Sequence, residues 1–374
     1  MTDLIYLDNN ATTILDPEVK QHLSCFQNKP YNPSSIHSFG KEAKKILTQA
    51  RESIACILKV SSSSLYFTSG GTESLNMLIK GLYTGKGSIL STSIEHSCVH
   101  ETLLNLKNQG ADVNYVPVFS EGAPSLDAIQ KHLSKDTTLM IFSAVYSETG
   151  AKLDLEAIAK LAHTNHVALV IDGVALLGKE TFACYPGITG MGFSSHKLHG
   201  PKGVGLVYLA PGSHCNPLIV GGPQEKNLRA GTENLEGIYG FAKAVEILGQ
   251  ILPAVTHYIE ELRNDFEAIL TKKLKDIVIN KGSSRICNTS NIYFPQVDAE
   301  TLLIALDRHG ICASAGSACS SGALEPSRVL LNMGLDRKRA KSSVRFSFSR
   351  FNTREETEKA AYLICEIVKK LSCD

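Results

Sequence analysis

Leu65-Tyr66-Phe67-Thr68-Ser69-Gly70-Gly71-Thr72-Glu73-Ser74 carries an apolar β-rich run into a turn of glycines and hydroxyl residues, and then into a helix that continues through Met77, Leu78 and Leu82. Parallel strands need a crossover element between them, so a strand that enters a helix through such a turn is the opening unit of an α/β sheet. Two uses of the turn are open from the residues alone. Ser69 and Thr72 are good helix-capping residues, and the free N–H groups of a helix start beside hydroxyls also bind phosphate.

The same alternation extends outward from this unit. Residues 41–58 place apolar side chains at 43, 46, 47, 50, 54, 57 and 58, which is a helical stripe. Residues 88–90, 113–116, 139–145, 167–171 and 204–209 read as further strands, short and apolar enough to be covered on both faces. After Pro253 the texture changes. A helical run reaches about residue 274, strands follow near 277–279 and 292–294, and a helix at 355–371 closes the chain. The expected class is α/β, with a large, mostly parallel-sheet domain over 15–253. A smaller α+β domain is expected from 1–14 and 254–374, carrying a Gly/Ser/Ala-rich loop at about 313–323.

The 374 residues carry 38 Lys+Arg against 37 Asp+Glu, a net charge of +1, and 43% are hydrophobic. This is globular composition without the basic footprint of a dedicated nucleic-acid or membrane-surface binder, so neither partner is expected. No apolar run approaches the roughly 18 to 20 residues that span a bilayer, and Met1-Thr2-Asp3-Leu4 does not open a signal peptide. A cytoplasmic location is the expectation. The 10 cysteines are scattered without a C-x-x-C pair, as reduced thiols are. P-loop, zincin and Rossmann glycine motifs do not occur.

Three features point to one chemistry. Asp172 ends the apolar run Ala168-Leu169-Val170-Ile171, at the carboxyl end of a strand where α/β sheets bind ligands. Lys197 lies in the hydroxyl-rich turn Ser194-Ser195-His196-Lys197, where partial desolvation makes a lysine a Schiff-base nucleophile. With the phosphate cradle at Gly71 and Thr72, these form the ordered set of a pyridoxal-phosphate site. Glu95-His96-Ser97-Cys98-Val99-His100 permits a zinc reading, through His96, Cys98 and His100, or a proton-shuttling His96 flat on a cofactor ring. Cys319 sits in the Gly/Ser/Ala loop, which predicts an exposed and movable thiol. Arg345 and Arg350 lie in a strand-like stretch where an arginine can grip a carboxylate.

Further stretches complete a pattern: Tyr6-Leu7-Asp8-Asn9-Asn10-Ala11-Thr12-Thr13, Asn32-Pro33-Ser34-Ser35-Ile36-His37, Arg229-Ala230-Gly231-Thr232-Glu233-Asn234 and Gly316-Ser317-Ala318-Cys319. Collinearly over nearly the whole chain, the set resembles the NifS/IscS-like cysteine desulfurases. These are class V aminotransferases with the fold type I architecture and pyridoxal 5'-phosphate as cofactor. The resemblance implies that Lys197 carries the Schiff base, Asp172 faces the pyridine nitrogen and His96 stacks on the ring. It implies a phosphate held by Gly71, Thr72, Ser194 and His196, with Thr232 reaching it from the neighbouring subunit of a homodimer. Arg345 would bind the carboxylate of L-cysteine, and Cys319 would take the sulfur as a persulfide.

A sulfur-acceptor or scaffold protein, serving Fe–S assembly or tRNA thiolation, is the implied partner, and no metal is implied. Two positions depart from the family. Ala175 stands where a glutamine donates to the cofactor phenolate, and Ser147 replaces a cofactor-side asparagine. Other readings of the same motifs are a selenocysteine lyase, a small-amino-acid transaminase, or a weakened sulfur-carrier or scaffold protein.

Overall fold

A computed structural model describes residues 4–26, 29–316 and 325–372. The chain opens with β1 (Ile5–Tyr6), α1 (Pro17–Leu23) and α2 (Ser38–Leu58). The central sheet contains β2 (Leu65–Thr68), β3 (Ser88–Thr92), β4 (Asp112–Val116), β5 (Thr137–Ser143), β6 (Ala168–Asp172), β7 (Gly190–Ser194) and β8 (Gly205–Leu209). Their spatial order is β2-β8-β7-β6-β5-β3-β4; β8 runs antiparallel to both neighbours, and the other pairs are parallel. The helices α3 (Gly71–Leu82), α4 (Ser97–Asn108), α5 (Leu126–His132) and α6 (Leu155–Asn165) connect them. The expected α/β class with a mostly parallel sheet is observed.

Successive strand residues feed opposite layers, as the two-residue period of a strand requires. Ile141, Val170 and Val207 join Leu75, Leu78, Val99 and Leu103 in the layer under α3 and α4. Their neighbours Met140, Phe142, Leu169, Ile171 and Leu206 join the larger core on the other face. The strand β7 has no counterpart in the sequence reading, because its glycines mask the apolar pattern. A Cβ on Gly190 would stand 2.5 Å from Leu78 Cδ2, and one on Gly192 3.0 Å from Leu75 Cδ2. Only glycine lets α3 lie this close to the sheet.

The second part of the chain holds α7 (Leu235–Lys273), β9 (Val278–Ile279), β10 (Thr289–Tyr293), α8 (Ala299–Arg308), β11 (Ile311–Cys312), α9 (Arg328–Asn332), α10 (Arg337–Lys341), β12 (Ser343–Ser347) and α11 (Arg354–Leu371). β12, β10 and β9 form an antiparallel sheet, and β1 pairs in parallel with β11. The helix expected to start at Ala254 starts at Leu235 and runs through Pro253. Gly249, four residues before that proline, packs on Ile57 of α2, whereas Glu261 and Asp265 pair with Arg354 of α11. One helix therefore packs on both parts of the chain. It is long and apolar enough to cross a membrane by length and composition, yet Ile238, Phe241, Val245 and Leu248 are buried in the core.

Candidate active site

Parallel register aligns Ser143 of β5 with Asp172 of β6, and Asp172 with Gly192 of β7. The carboxyl ends of these strands open on a cavity of about 280 Å³, lined among others by Gly71, Thr72, His96, Asp172, Ser194, Lys197 and Arg345. Residues from both parts of the chain thus meet where an α/β sheet binds ligands.

The start of α3 resolves the two uses of its turn. Gly70 is the N-cap and supplies no side-chain cap, so neither Ser69 nor Thr72 caps the helix. Glu73 instead accepts from the Ser69 N–H at 2.8 Å and from Arg229 Nε at 2.9 Å. Gly71 and Thr72, the first residues of the helix, line the cavity with Ser194, so a helix start is available there to an anion. A Cβ on Gly71 would lie 2.7 Å from Val174 Cγ2, so the cradle has no room for a side chain there.

Lys197 ends a 3-10 turn, Ser195–Lys197, immediately after β7. Its Nζ donates to the carbonyls of Asn10 at 2.5 Å and Ala11 at 2.8 Å. Thr13 holds the same turn from the other side, its N–H and hydroxyl donating to the His196 carbonyl. His196 Nδ1 lies 3.1 Å from Thr12 Oγ1, and burial pulls its pKa down to about 4, with Lys197 acting in the same direction. The imidazole is neutral at neutral pH.

Asp172 is 6% exposed, and its Oδ1 accepts from the Val174 N–H at 2.9 Å. Burial raises its pKa, opposed by His96 and Lys197. His96 is the N-cap of α4, and its Nδ1 accepts from the Cys98 N–H at 3.2 Å, which puts the proton of the neutral ring on Nε2. Burial lowers its pKa and keeps that neutral form. Because Nδ1 is the capping atom, the ring is oriented by the helix start, and no cluster of three metal-ligating side chains occurs among the described residues.

Arg345 of β12 is buried. Its Nη2 donates to Asp8 Oδ1 at 3.0 Å and its Nη1 to the Ser147 carbonyl at 3.5 Å, while Nε has no hydrogen-bond partner among the described residues. Ser147 lines the cavity and is tied by its carbonyl to Asn10 Nδ2 at 2.9 Å. Arg350 does not reach the cavity: it forms a buried ion pair with Asp16 and stacks on Phe351. Thr232 is exposed and not among the cavity-lining residues of its own chain. Cys319 lies outside the described residues. The chain on either side of its loop reaches the site: Ser314 Oγ donates to Asp8 at 2.8 Å, Ser327 Oγ to Glu148 at 2.5 Å, and a Cβ on Gly316 would lie 3.2 Å from Ser327 Cβ.

Several cavity residues have no role assigned in the sequence reading. Glu95 is fully buried and accepts from Thr92 Oγ1 at 2.7 Å, Ser143 Oγ at 2.6 Å and Tyr146 OH at 3.1 Å. Burial pushes its pKa up to about 7, against the three hydroxyls and with the nearby Asp172. Lys179 is 6% exposed and lines the same cavity, and Arg328 donates to the carbonyls of Ser93 and Glu95. The sequence signal for Lys179 is a lysine one glycine beyond the apolar Leu176-Leu177.

The donor set fits pyridoxal phosphate. A buried carboxylate with one hydrogen bond, a cavity-facing lysine and an uncapped helix start beside a hydroxyl match its pyridine nitrogen, aldehyde and phosphate. Residues 5–359 match the model of the aminotransferase class-V family, and the chain belongs to that family. Within it, the chain is 38% identical to a cysteine desulfurase of Nostoc sp., over 98% of this chain and 94% of that protein. It superposes on a NifS-like protein with a TM-score of 0.92 at 34% identity, covering 98% of this chain and 100% of that one. SspA, solved in complex with cysteine, matches with a TM-score of 0.82 at 29% identity, over 93% of this chain and 100% of that one.

Proposed function

We propose that this chain is a cysteine desulfurase: it converts L-cysteine to L-alanine and leaves the sulfur as a persulfide on Cys319. The carrying observation is that Lys197, Asp172 and Arg345, from separate elements, line one cavity. Bound pyridoxal 5'-phosphate supplies the electron sink that labilises the Cα–H bond of an amino acid. Lys197 would hold the cofactor, and Asp172 would face its ring nitrogen. The backbone N–H groups at Gly71 and Thr72, with Ser194 and His196, hold the phosphate.

Arg345 takes the substrate carboxylate, and its pairing with Asp8 fixes the guanidinium plane while the substrate binds. His96 and the Lys197 amine would take the Cα proton, return it to Cα and deliver the proton that Cβ gains. In the sulfur step the Cβ–S bond breaks, the Cys319 thiolate forms an S–S bond to the departing sulfur, and Cβ gains a proton to become the methyl of alanine. The exposed Thr232 completes the phosphate site of a second subunit in a homodimer, and a separate acceptor protein takes the sulfur onward. Incubating the cofactor-loaded protein with L-cysteine tests the proposal. Equimolar alanine and persulfide are expected, and cysteine left unchanged contradicts it.

A further inference from the structure

We propose that Lys179 is a positioning residue for Lys197, holding its carbonyl and placing a second amino group in the same pocket. The inference rests on the cofactor reading above. Lys179 Nζ donates to the Lys197 carbonyl at 2.7 Å, and both residues line the cavity. The main chain of Lys179 is itself clamped. Its N–H donates to Leu176, and its carbonyl accepts from Thr256 Oγ1 of α7 at 2.6 Å and from Cys287 Sγ at 3.6 Å. The side chain therefore reaches Lys197 from a fixed base.

No carboxylate pairs with Lys179 among the described residues, although it is almost fully buried. A buried ammonium without a counter-ion is expensive, and a neutral side chain could hold a carbonyl at less cost. What a neutral side chain cannot supply is charge. A nearby cation disfavours protonation of a neighbouring amine, which is how lysines are activated as Schiff-base nucleophiles.

Burial draws the Lys179 pKa down to about 8, with Lys197 and Arg350 acting in the same direction and Cys287 against them. Titratable groups on which Lys197 acts include Asp172, His96, His196 and Lys179. Asp172 favours a charged Lys197, burial favours neutral histidines, and Lys179 is a cation that opposes it. Removing that charge should raise the pH at which a nitrogen on Lys197 gives up its proton.

The test is a pH titration of the bound-cofactor absorbance in the full-length, cofactor-loaded protein, with Lys179→Gln, Lys179→Met and Lys179→Arg beside the wild type. The neutral variants should move the midpoint up by about one unit, a tenfold change in proton affinity. Lys179→Arg, which keeps a cation at every pH of the titration, should leave the midpoint at or below the wild-type value, and it carries the test even where a neutral variant does not fold. Unchanged midpoints in the neutral variants, or an Arg variant that rises, would overturn the proposal. A wild-type protein that takes up no cofactor would instead overturn the cofactor reading, a distinct failure.

Discussion

The amine of Lys197 lies 2.8 Å from the carbonyl oxygen of Ala11, a residue 186 positions earlier in the chain. The N-terminal segment is thus a wall of the catalytic pocket, and the lysine is directed there by main-chain acceptors. Lys197→Ala should remove the Schiff-base absorbance and leave the circular dichroism of the fold unchanged, because one cavity-lining side chain is lost and no core residue is. In the wild type, borohydride reduction followed by peptide mapping should label Lys197 and leave Lys179, in the same cavity, unlabelled. Label on Lys179 would mean that the anchor is misassigned.

Arg345 makes a charge-assisted pair with Asp8 and turns the rest of its guanidinium to the cavity. A hydrogen bond to a charged group is worth about 1.5 to 3 kcal/mol, so Arg345→Gln should raise KM for cysteine by roughly 10- to 100-fold. Cofactor absorbance should be unaffected. Steady-state kinetics beside the absorption spectrum separates a substrate-binding role from a cofactor-binding one.

Glu95 makes the cofactor-free protein sensitive to pH. Its folded pKa of about 7 is above its ordinary value of 4.5, so the native state holds a proton that the unfolded chain has lost between those values. Stability therefore falls as pH rises through this window, by up to about 3 kcal/mol at about 1.4 kcal/mol per unit. The depressed histidines are common to wild type and Glu95→Gln, so the difference between the two isolates the carboxyl. Thermal unfolding from pH 4.5 to 7.5 should show the wild type losing ground to Glu95→Gln. Parallel curves would place the Glu95 proton elsewhere.

Much of this site was legible because its chemistry sits at strand ends. Asp172 closes an apolar run and Thr72 follows a strand within a few residues, so pattern alone put those two at one edge of the sheet, whereas Lys197 was legible from its hydroxyl-rich turn. Asp8, Glu95 and Lys179 were not assigned roles, for a physical reason: each acts through contacts with residues distant in sequence, such as Arg345 for Asp8, 337 positions away. Strand β7 was hidden by the glycines that make room for α3, and Pro253 reads as a stop although α7 continues past it. A proline removes one helical hydrogen bond, and packing on both sides of α7 holds the helix together across it.

Ala175 lines the cavity, where the family resemblance implies a glutamine that would donate to the cofactor phenolate. Restoring the donor should stabilise that oxygen as an anion. Ala175→Gln is expected to lower the absorbance midpoint of the cofactor-loaded protein by at most about one to two units, the equivalent of one charge-assisted hydrogen bond. An unmoved midpoint would show that another donor already serves the oxygen.

The most direct measurement of the central claim compares wild type and Cys319→Ser, each loaded with cofactor and given L-cysteine, for alanine released and persulfide formed. The wild type should give both in equal amounts. Cys319→Ser should still change its absorbance on binding cysteine, since Lys197, Asp172 and Arg345 are intact, yet form neither product. Persulfide and alanine undiminished in Cys319→Ser would contradict the account.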